Sequence, residues 1–365
     1  MSALFEPAKI GRMEIKNRLM RSATCEWMCD ADGRAGQNLV DLYTTLAKGG
    51  VGLIVTGHGY VSRTGRASPG QIGIYEDSLV EALKPVVETI HREGARVVMQ
   101  INHAGARARP ELNDGVHPKA VSAIYVPDLD LTPAEMTEQD ILERIRDYGR
   151  AARRVKEAGF DGVQLHAAHG YLLSQFLSPL TNRREDRWGG SFEKRLRFLQ
   201  AVCEEVRDQV GPEFPLLIKI ASQDFIDGGL TPQDGARIAA RLADFGLDAI
   251  EVSGGVEFGR TRYSVRAGIR ERSDEAYFLD NARRIRDVTD LPLMLVGGLR
   301  TPELMERIVA DEGIEFVSLC RPLINDPELP NKWADGSDER AGCISCNQCL
   351  IRRDVPLRCW YRFPE

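Results

Sequence analysis

The stretch that decides the fold is Gly162-Val-Gln-Leu-His166-Ala-Ala-His169-Gly-Tyr171, in which a short apolar run leads directly into three polar rings. The apolar run predicts a buried strand, and the rings follow where that strand gives way to a loop. Two imidazole N–H groups can hold a carbonyl or nitro oxygen, and a nearby phenol can deliver a proton. The competing interpretation is a pair of structural histidines with a tyrosine that caps the following helix.

Apolar, β-branched runs of this kind recur along the 365 residues, with amphipathic segments between them. The runs centre on 19–22, 52–55, 96–99, 162–165, 216–219, 249–252, 293–296 and 316–319. Helices are predicted at 39–48, 78–92, 138–158, 192–209, 232–245, 276–288 and 301–310. This alternation predicts an α/β fold, a (β/α)₈ TIM barrel, with a doubly wound open sheet as the alternative.

The flanking segments complete the expected organisation. Residues 8–16 predict a hairpin that closes the barrel floor. Residues 104–138 are interrupted by Pro and Asp residues, and this pattern predicts an active-site loop. We expect a barrel domain of residues 1–335 and a Cys-rich tail at 336–365.

Composition narrows the class of protein. The chain is 43% hydrophobic and 28% charged, with a formal net charge of −6, so it lacks the basic excess of a nucleic-acid binder. No run approaches the roughly 18 apolar residues that span a bilayer. The N-terminus also lacks the regions of a signal peptide. We therefore expect a cytoplasmic enzyme with a small-molecule substrate and no nucleic-acid or membrane partner.

The ends of the predicted strands carry polar residues, which is where a barrel places its chemistry. These ends supply Thr24, Cys25, Gly57, Gln100, His166, His169, Tyr171, Lys219, Gly297, Gly298, Cys320 and Arg321. The glycine pair after strand 7 and the arginine after strand 8 match the phosphate position of barrels. Lys219 lies in an aliphatic strand, where a charge needs a partner, and we expect an anionic ligand atom to supply it.

Four stretches resemble the old yellow enzyme family of FMN-dependent ene-reductases. They are Lys16-Asn-Arg-Leu-Met-Arg-Ser-Ala-Thr-Cys25, Gln100-Ile-Asn-His-Ala-Gly105, His166-Ala-Ala-His-Gly-Tyr-Leu-Leu-Ser-Gln-Phe-Leu-Ser-Pro-Leu180 and Asn182-Arg-Arg-Glu-Asp-Arg-Trp-Gly-Gly-Ser191. The resemblance covers nearly all of residues 1–335. It implies one FMN across the barrel mouth, reduced by NADH or NADPH, and hydride transfer to an activated alkene.

The resemblance also implies roles for individual residues. His166 and His169 resemble the pair that grips the oxygen of the substrate, and Tyr171 resembles the proton donor. Lys219 stands where many members have arginine beside the flavin, and His58 stands where many have a small residue. The implied FMN-binding residues are Ala23, Thr24, Cys25 as the redox-tuning thiol, Gly57, Gln100, Lys219, Gly297, Gly298, Cys320 and Arg321.

Four cysteines in the tail predict a metal centre. Cys343, Cys346, Cys349 and Cys359 resemble the cluster-binding segment of bacterial 2,4-dienoyl-CoA reductase and trimethylamine dehydrogenase, although the third cysteine there is usually one residue further along. Four thiolates at such spacing suit a 4Fe–4S cluster, which we favour, or Zn²⁺. Unliganded thiols are the alternative.

Four functions remain open at this point. The leading hypothesis is an FMN-dependent, NAD(P)H-dependent reductase of enones, enoates or enoyl thioesters. The alternatives are an oxidative N-demethylase or amine dehydrogenase, a flavin-free barrel lyase or isomerase, and a metal-binding partner of another redox protein. We also expect a homo-oligomer and, if the tail holds a cluster, an electron-transfer partner.

Overall fold

The computed structural model describes residues 2–258, 261–262, 264–351 and 357–362, and within this part eight parallel strands close into a barrel. Each strand pairs with the next, and the last pairs with the first. The predicted (β/α)₈ barrel is therefore confirmed, and the open-sheet alternative is wrong. The strands are β1 Leu19–Arg21, β2 Leu53–Val55, β3 Arg96–Asn102, β4 Gly162–Ala167, β5 Leu216–Ala221, β6 Ala249–Ser253, β7 Leu293–Val296 and β8 Phe316–Leu319.

Helices surround the barrel at all the predicted positions, with ends that differ by a few residues. They are α1 Gln37–Lys48, α2 Val80–Arg92, α3 Glu138–Glu157, α4 Leu172–Leu177, α5 Phe192–Val210, α6 Pro232–Leu242, α7 Leu279–Arg286, α8 Pro302–Asp311, α9 Arg321–Asn325 and α10 Leu329–Ala334. The sequence pattern missed α4, α9 and α10. All six residues of α4 are buried, so this short helix shows no polar face and no helical period.

The predicted floor hairpin is present, as strands Ala8–Ile10 and Met13–Ile15 in antiparallel pairing. Side chains of Ile10, Met13 and Ile15 pack with barrel-interior residues such as Met20 and Phe316 in one apolar cluster. Fully burying a side chain of this size contributes about 1.5–3 kcal/mol. The hairpin thus closes one end of the barrel, which leaves the carboxyl ends of the strands as the open end.

The loop at 104–138 is more structured than the sequence predicts. It contains a short parallel pair, Lys119–Ala120 with Ala134–Glu135. Arg184, which is buried, donates from Nη1 to Val121 O at 3.0 Å and to Met136 O at 2.8 Å. The segment 182–191 therefore holds this loop beside the barrel mouth, which gives that motif a structural role.

None of the helices in the described part of the chain has the length and apolar character needed to cross a membrane.

Candidate active site

A cavity of about 1060 Å³ lies at the carboxyl ends of the strands. It brings together most of the site residues that the sequence predicts. Those that line it are Ala23, Thr24, Cys25, Gln100, His166, His169, Tyr171, Lys219, Gly298, Cys320 and Arg321. Gly57 and Gly297 are not among the lining residues.

Four rings form one wall of the cavity. The ring centroids of His166 and His169 are 5.0 Å apart, and that of Tyr171 lies 5.1 Å from His166. The fourth ring belongs to His58, whose centroid lies 5.1 Å from Tyr171 and 5.9 Å from His166. Ser253 Oγ and His169 Nε2 lie 2.9 Å apart, within hydrogen-bonding distance. The rings of the β4 motif therefore converge, with an additional imidazole from the end of β2.

All three imidazoles are neutral at neutral pH. Burial, and then the charge of Lys219, lowers the pKa of His58 to about 4. The same two causes lower the pKa of His169 to about 3, and burial lowers the pKa of His166 well below its usual range. Each ring therefore offers one donor and one acceptor nitrogen rather than a positive charge.

Two of these nitrogens are buried without a hydrogen-bond partner among the described residues, namely His58 Nε2 and His166 Nδ1. A buried polar group left unpaired costs about 1–3 kcal/mol. Such a cost is tolerated most readily where a ligand or water completes the bonding. This wall is accordingly suited to receive a polar group.

Lys219 has a charge partner inside the protein, which corrects the expectation that a ligand alone would supply one. Its Nζ lies 3.2 Å from Glu251 Oε2 and donates to Ser22 Oγ at 2.8 Å. Ser22 Oγ in turn donates to Glu251 Oε1 at 2.7 Å. Because Glu251 sits in the middle of an apolar strand run, its charge was a sequence signal that it needs a buried partner, although the sequence does not identify that partner.

This ion pair continues into a chain of amides. Gln164 Nε2 donates to Glu251 Oε2 at 3.0 Å, and Gln100 Nε2 donates to Gln164 Oε1 at 2.7 Å. The network fixes the side chain of Gln100 at the edge of the cavity and engages one N–H of its amide. Gln100 can therefore offer its carbonyl oxygen and its second N–H to a ligand.

The ends of β7 and β8 form the opposite region of the cavity. Gly298 adopts a left-handed φ of 74°, and a Cβ there would lie 3.0 Å from the ring of Tyr277, so any larger residue would be strained. Arg321 is buried and lines the cavity, and so does Ser318, whose Oγ has no partner in the part of the chain that the structure describes. Backbone, guanidinium and hydroxyl donors at this place suit a phosphate.

Gly57 and Gly297 lie just behind the lining. The Gly57 N–H donates to Glu26 Oε1 at 3.0 Å and to Tyr43 Oη at 3.1 Å, so that donor is already engaged. Gly297 accepts from the Tyr277 N–H at 3.2 Å. The predicted backbone contacts of these two glycines with a cofactor stay predictions that this geometry does not favour.

The residues around the cavity fit FMN. A cation and an amide edge are available from Lys219 and Gln100. At the other end, Arg321 and Ser318 offer donors to a phosphate beside the close backbone approach at Gly298. Thr24 and Cys25 also line the cavity, with Cys25 Sγ 3.5 Å from Ser68 Oγ.

The cysteines of the tail do not fit a metal. Cys349 and Cys359 are buried, whereas Cys343 is half-buried and Cys346 is exposed. Among the described residues, no three His, Cys, Asp or Glu side chains come together as a set that could hold a metal ion. The predicted 4Fe–4S cluster or Zn²⁺ therefore stays a prediction without support from this geometry.

Together, the barrel, the wall of neutral imidazoles and the phosphate-suited end are features typical of flavin-dependent oxidoreductases of the barrel type. The chain belongs to the NADH:flavin oxidoreductase / NADH oxidase family, whose sequence profile matches residues 3–339. The resemblance to old yellow enzymes is thereby confirmed, and the flavin-free lyase alternative is set aside.

Three similar proteins illustrate the relationship. NADH oxidase of Thermoanaerobacter brockii is 35% identical over 98% of this chain and 55% of its own length. The structure of 2-naphthoyl-CoA reductase with 2-naphthoyl-CoA has a TM-score of 0.90 at 30% identity, covering 98% of this chain and 56% of that one. The old yellow enzyme homologue of Zymomonas mobilis has a TM-score of 0.79 at 25% identity, covering 93% and 94%. The chain thus spans about half the length of the first two.

Proposed function

We propose that this chain is an FMN-dependent NAD(P)H oxidoreductase that reduces activated C=C bonds of enones, enoates or enoyl thioesters. The observation that carries the proposal is the convergence of neutral imidazoles from His166 and His169 with the phenol of Tyr171 on one wall of the cavity. The same cavity offers a cation, Lys219, and a phosphate-suited end at Arg321.

Bound FMN would supply the hydride transfer from a nicotinamide to the substrate. Gln100 and Lys219 would hold the ring system at one end of the cavity, and Gly298 with Arg321 would hold the phosphate at the other. Ala23, Thr24 and Cys25 also line the cavity. Lys219 carries a positive charge that favours an anionic ring, moderated by the adjacent carboxylate of Glu251.

His166 and His169 would bind the electron-withdrawing oxygen of the alkene. Both rings are neutral, so each can donate one N–H to that oxygen. The bonds strengthen as negative charge develops on the oxygen, which is how such donors accelerate a reaction. Tyr171, 5.1 Å from His166 between ring centroids, would then donate its hydroxyl proton to the α-carbon.

The charge of the cavity argues against the amine dehydrogenase alternative. Among the described residues, the lining contains six basic side chains, namely Arg107, Arg109, Lys219, Arg266, Arg300 and Arg321, and one carboxylate, Asp128. Alkylamines are cations at neutral pH, so this lining is unfavourable for them. Carbonyl compounds and anionic enoates do not meet that repulsion.

The test begins with aerobic and anaerobic purification and the visible spectrum. We expect flavin absorbance and stoichiometric FMN. NADH and NADPH are then assayed with a panel of enones, enoates, enoyl thioesters and N-methylamines. Turnover of N-methylamines without turnover of any alkene would overturn the proposal, and so would a colourless protein that does not bind added FMN.

Several expectations lie outside this mechanism. A metal centre at Cys343, Cys346, Cys349 and Cys359, an electron-transfer partner, a homo-oligomer and a cytoplasmic location stay predictions. Iron, sulfide and zinc analysis of anaerobically purified protein tests the first of them, and Cys346→Ser should abolish any metal that is found.

A further inference from the structure

The tail forms part of the cavity. Asn347 and Leu350 line it together with Gly298 and Arg321, at the end formed by β7 and β8. Asn347 and Leu350 both belong to the Cys-rich tail assigned to 336–365, so this tail reaches the region that the proposed function assigns to the phosphate of FMN.

Buried polar contacts hold this part of the tail in place. Arg300 is fully buried, and its Nε donates to Cys343 O at 2.6 Å while its Nη2 donates to Ser345 Oγ. Arg340 Nε forms an ion pair with Glu275 Oε1 at 2.9 Å, and Glu275 also accepts from the Arg300 N–H at 2.7 Å. Charge-assisted hydrogen bonds in a buried setting are strong, so the position of residue 347 is well defined.

Asn347 contacts the guanidinium of Arg321 directly. Arg321 Nη1 donates to Asn347 Oδ1 at 2.5 Å and to Arg266 O at 2.8 Å. Asn347 has a φ of 61°, in the left-handed region that asparagine tolerates better than most residues. The backbone conformation thus brings the amide to Arg321 at modest cost.

These two bonds occupy one nitrogen of Arg321 only. Its Nε and Nη2 have no hydrogen-bond partner in the described ranges of the chain, although the residue is buried and lines the cavity. A guanidinium binds a phosphate with two parallel N–H groups on one edge. Fixing Nη1 on Asn347 and on the Arg266 carbonyl would leave the edge formed by Nε and Nη2 to bind a phosphate in the cavity.

We propose that Asn347 is a positioning residue for the FMN phosphate, acting through Arg321. The inference rests on the proposed function, because it takes the ligand at this end of the cavity to be the flavin phosphate. The consequence is that the tail contributes to cofactor affinity through its own side chain.

The test compares FMN with riboflavin, which lacks the phosphate. Dissociation constants are measured on deflavinated full-length protein by quenching of flavin fluorescence. Asn347→Gly removes the amide and still permits the positive φ. The matched control is Gln348→Gly, a neighbouring exposed residue. We expect Asn347→Gly to raise the dissociation constant of FMN about tenfold, because one hydrogen bond to the charged Arg321 is lost. The dissociation constant of riboflavin should rise less than about twofold, because riboflavin has no phosphate for Arg321 to bind.

A second variant guards against misfolding. Asn347→Asp keeps an oxygen for Arg321 but puts a negative charge beside the phosphate. We expect weaker FMN binding that recovers partly at high salt, with riboflavin binding unchanged. Equal weakening of FMN and riboflavin, or no weakening of FMN in either variant, would overturn the inference.

A different set of binding results would contradict the proposed function itself. If the unaltered protein binds riboflavin as tightly as FMN, or if Arg321→Ala weakens both flavins equally, no phosphate lies at Arg321. If Arg321→Ala weakens FMN selectively while the Asn347 variants do not, only the role of Asn347 is wrong.

Discussion

Lys219 Nζ lies 3.2 Å from Glu251 Oε2 inside the barrel, with both side chains buried and Ser22 Oγ between their polar groups. Charges in such an interior interact much more strongly than charges in water. The pair therefore sets the electrostatic potential at the mouth of the barrel, where the proposed flavin binds. Removing either partner leaves the other buried without its countercharge.

The two partners should shift the flavin potential in opposite directions. Lys219→Met removes a positive charge, so we expect the midpoint potential to fall by about 30–60 mV, which is roughly 1.4–2.8 kcal/mol for a two-electron couple. Glu251→Gln leaves Lys219 without its negative partner and should raise the potential. The measurement is a spectroelectrochemical titration. Shifts of the same sign in both variants would contradict the assignment of Lys219 to the flavin.

Tyr171 should act in one half-reaction only. Its hydroxyl is proposed to protonate the α-carbon, a step that reduction by NAD(P)H does not contain. Tyr171→Phe should therefore leave the rate of flavin reduction unchanged. It should slow reoxidation of the flavin by an enone by roughly 10²–10⁴-fold, which is the usual contribution of a general acid. Nitroalkenes, whose anions are strongly stabilised, should be slowed less. Stopped-flow absorbance separates the half-reactions, and equal slowing of both would remove Tyr171 from this role.

The histidine wall should be insensitive to pH near neutrality. With a pKa of about 4 for His58 and about 3 for His169, neither ring titrates between pH 5.5 and 8. Protonation of these two rings should therefore not change the affinity for a phenolic substrate analogue over that range. The affinity should weaken below about pH 4, where protonation puts positive charges beside Lys219. An inflection near pH 6.5, the ordinary histidine value, would show that a ring is solvated instead.

The same pKa shifts predict a stability change. Unfolded histidine takes up a proton near pH 6.5, whereas folded His58 does so only near pH 4. Between these values the unfolded state binds more protons, so stability falls as the pH falls. The thermal unfolding midpoint, measured from pH 7 to pH 4.5, should fall less steeply in His58→Leu than in the unaltered protein, so the two curves should separate as the pH falls. Parallel curves would contradict the depressed pKa.

Replacing His58 should affect protein stability and ligand binding in opposite directions. Its Nε2 is buried without a partner among the described residues, and its ring borders His166 and Tyr171. His58→Leu removes that unpaired group, so we expect an equal or higher unfolding midpoint at pH 7. Substrate-analogue binding should weaken several-fold if a ligand uses the imidazole. Unchanged binding would make His58 a structural residue.

The periodic features of the sequence were enough to define the framework. Strand runs that alternate with amphipathic helices predict the barrel, because each element shows its own period and its own boundary residues. The motif at 166–171 could be assigned to a strand end, and most of the predicted site residues line one cavity because the carboxyl ends of parallel strands share one end of a barrel.

The sequence by itself determined the barrel and the local chemistry of the strand ends, since both depend on residues close together in the chain. Only the tertiary structure decided that Glu251 is the partner of Lys219, that His58 joins the histidine wall and that Asn347 reaches Arg321. Each of these contacts joins residues far apart in sequence, at distances that barrel closure and the path of the tail fix. Side-chain type and local spacing carry no record of such distances, whereas the folded chain does.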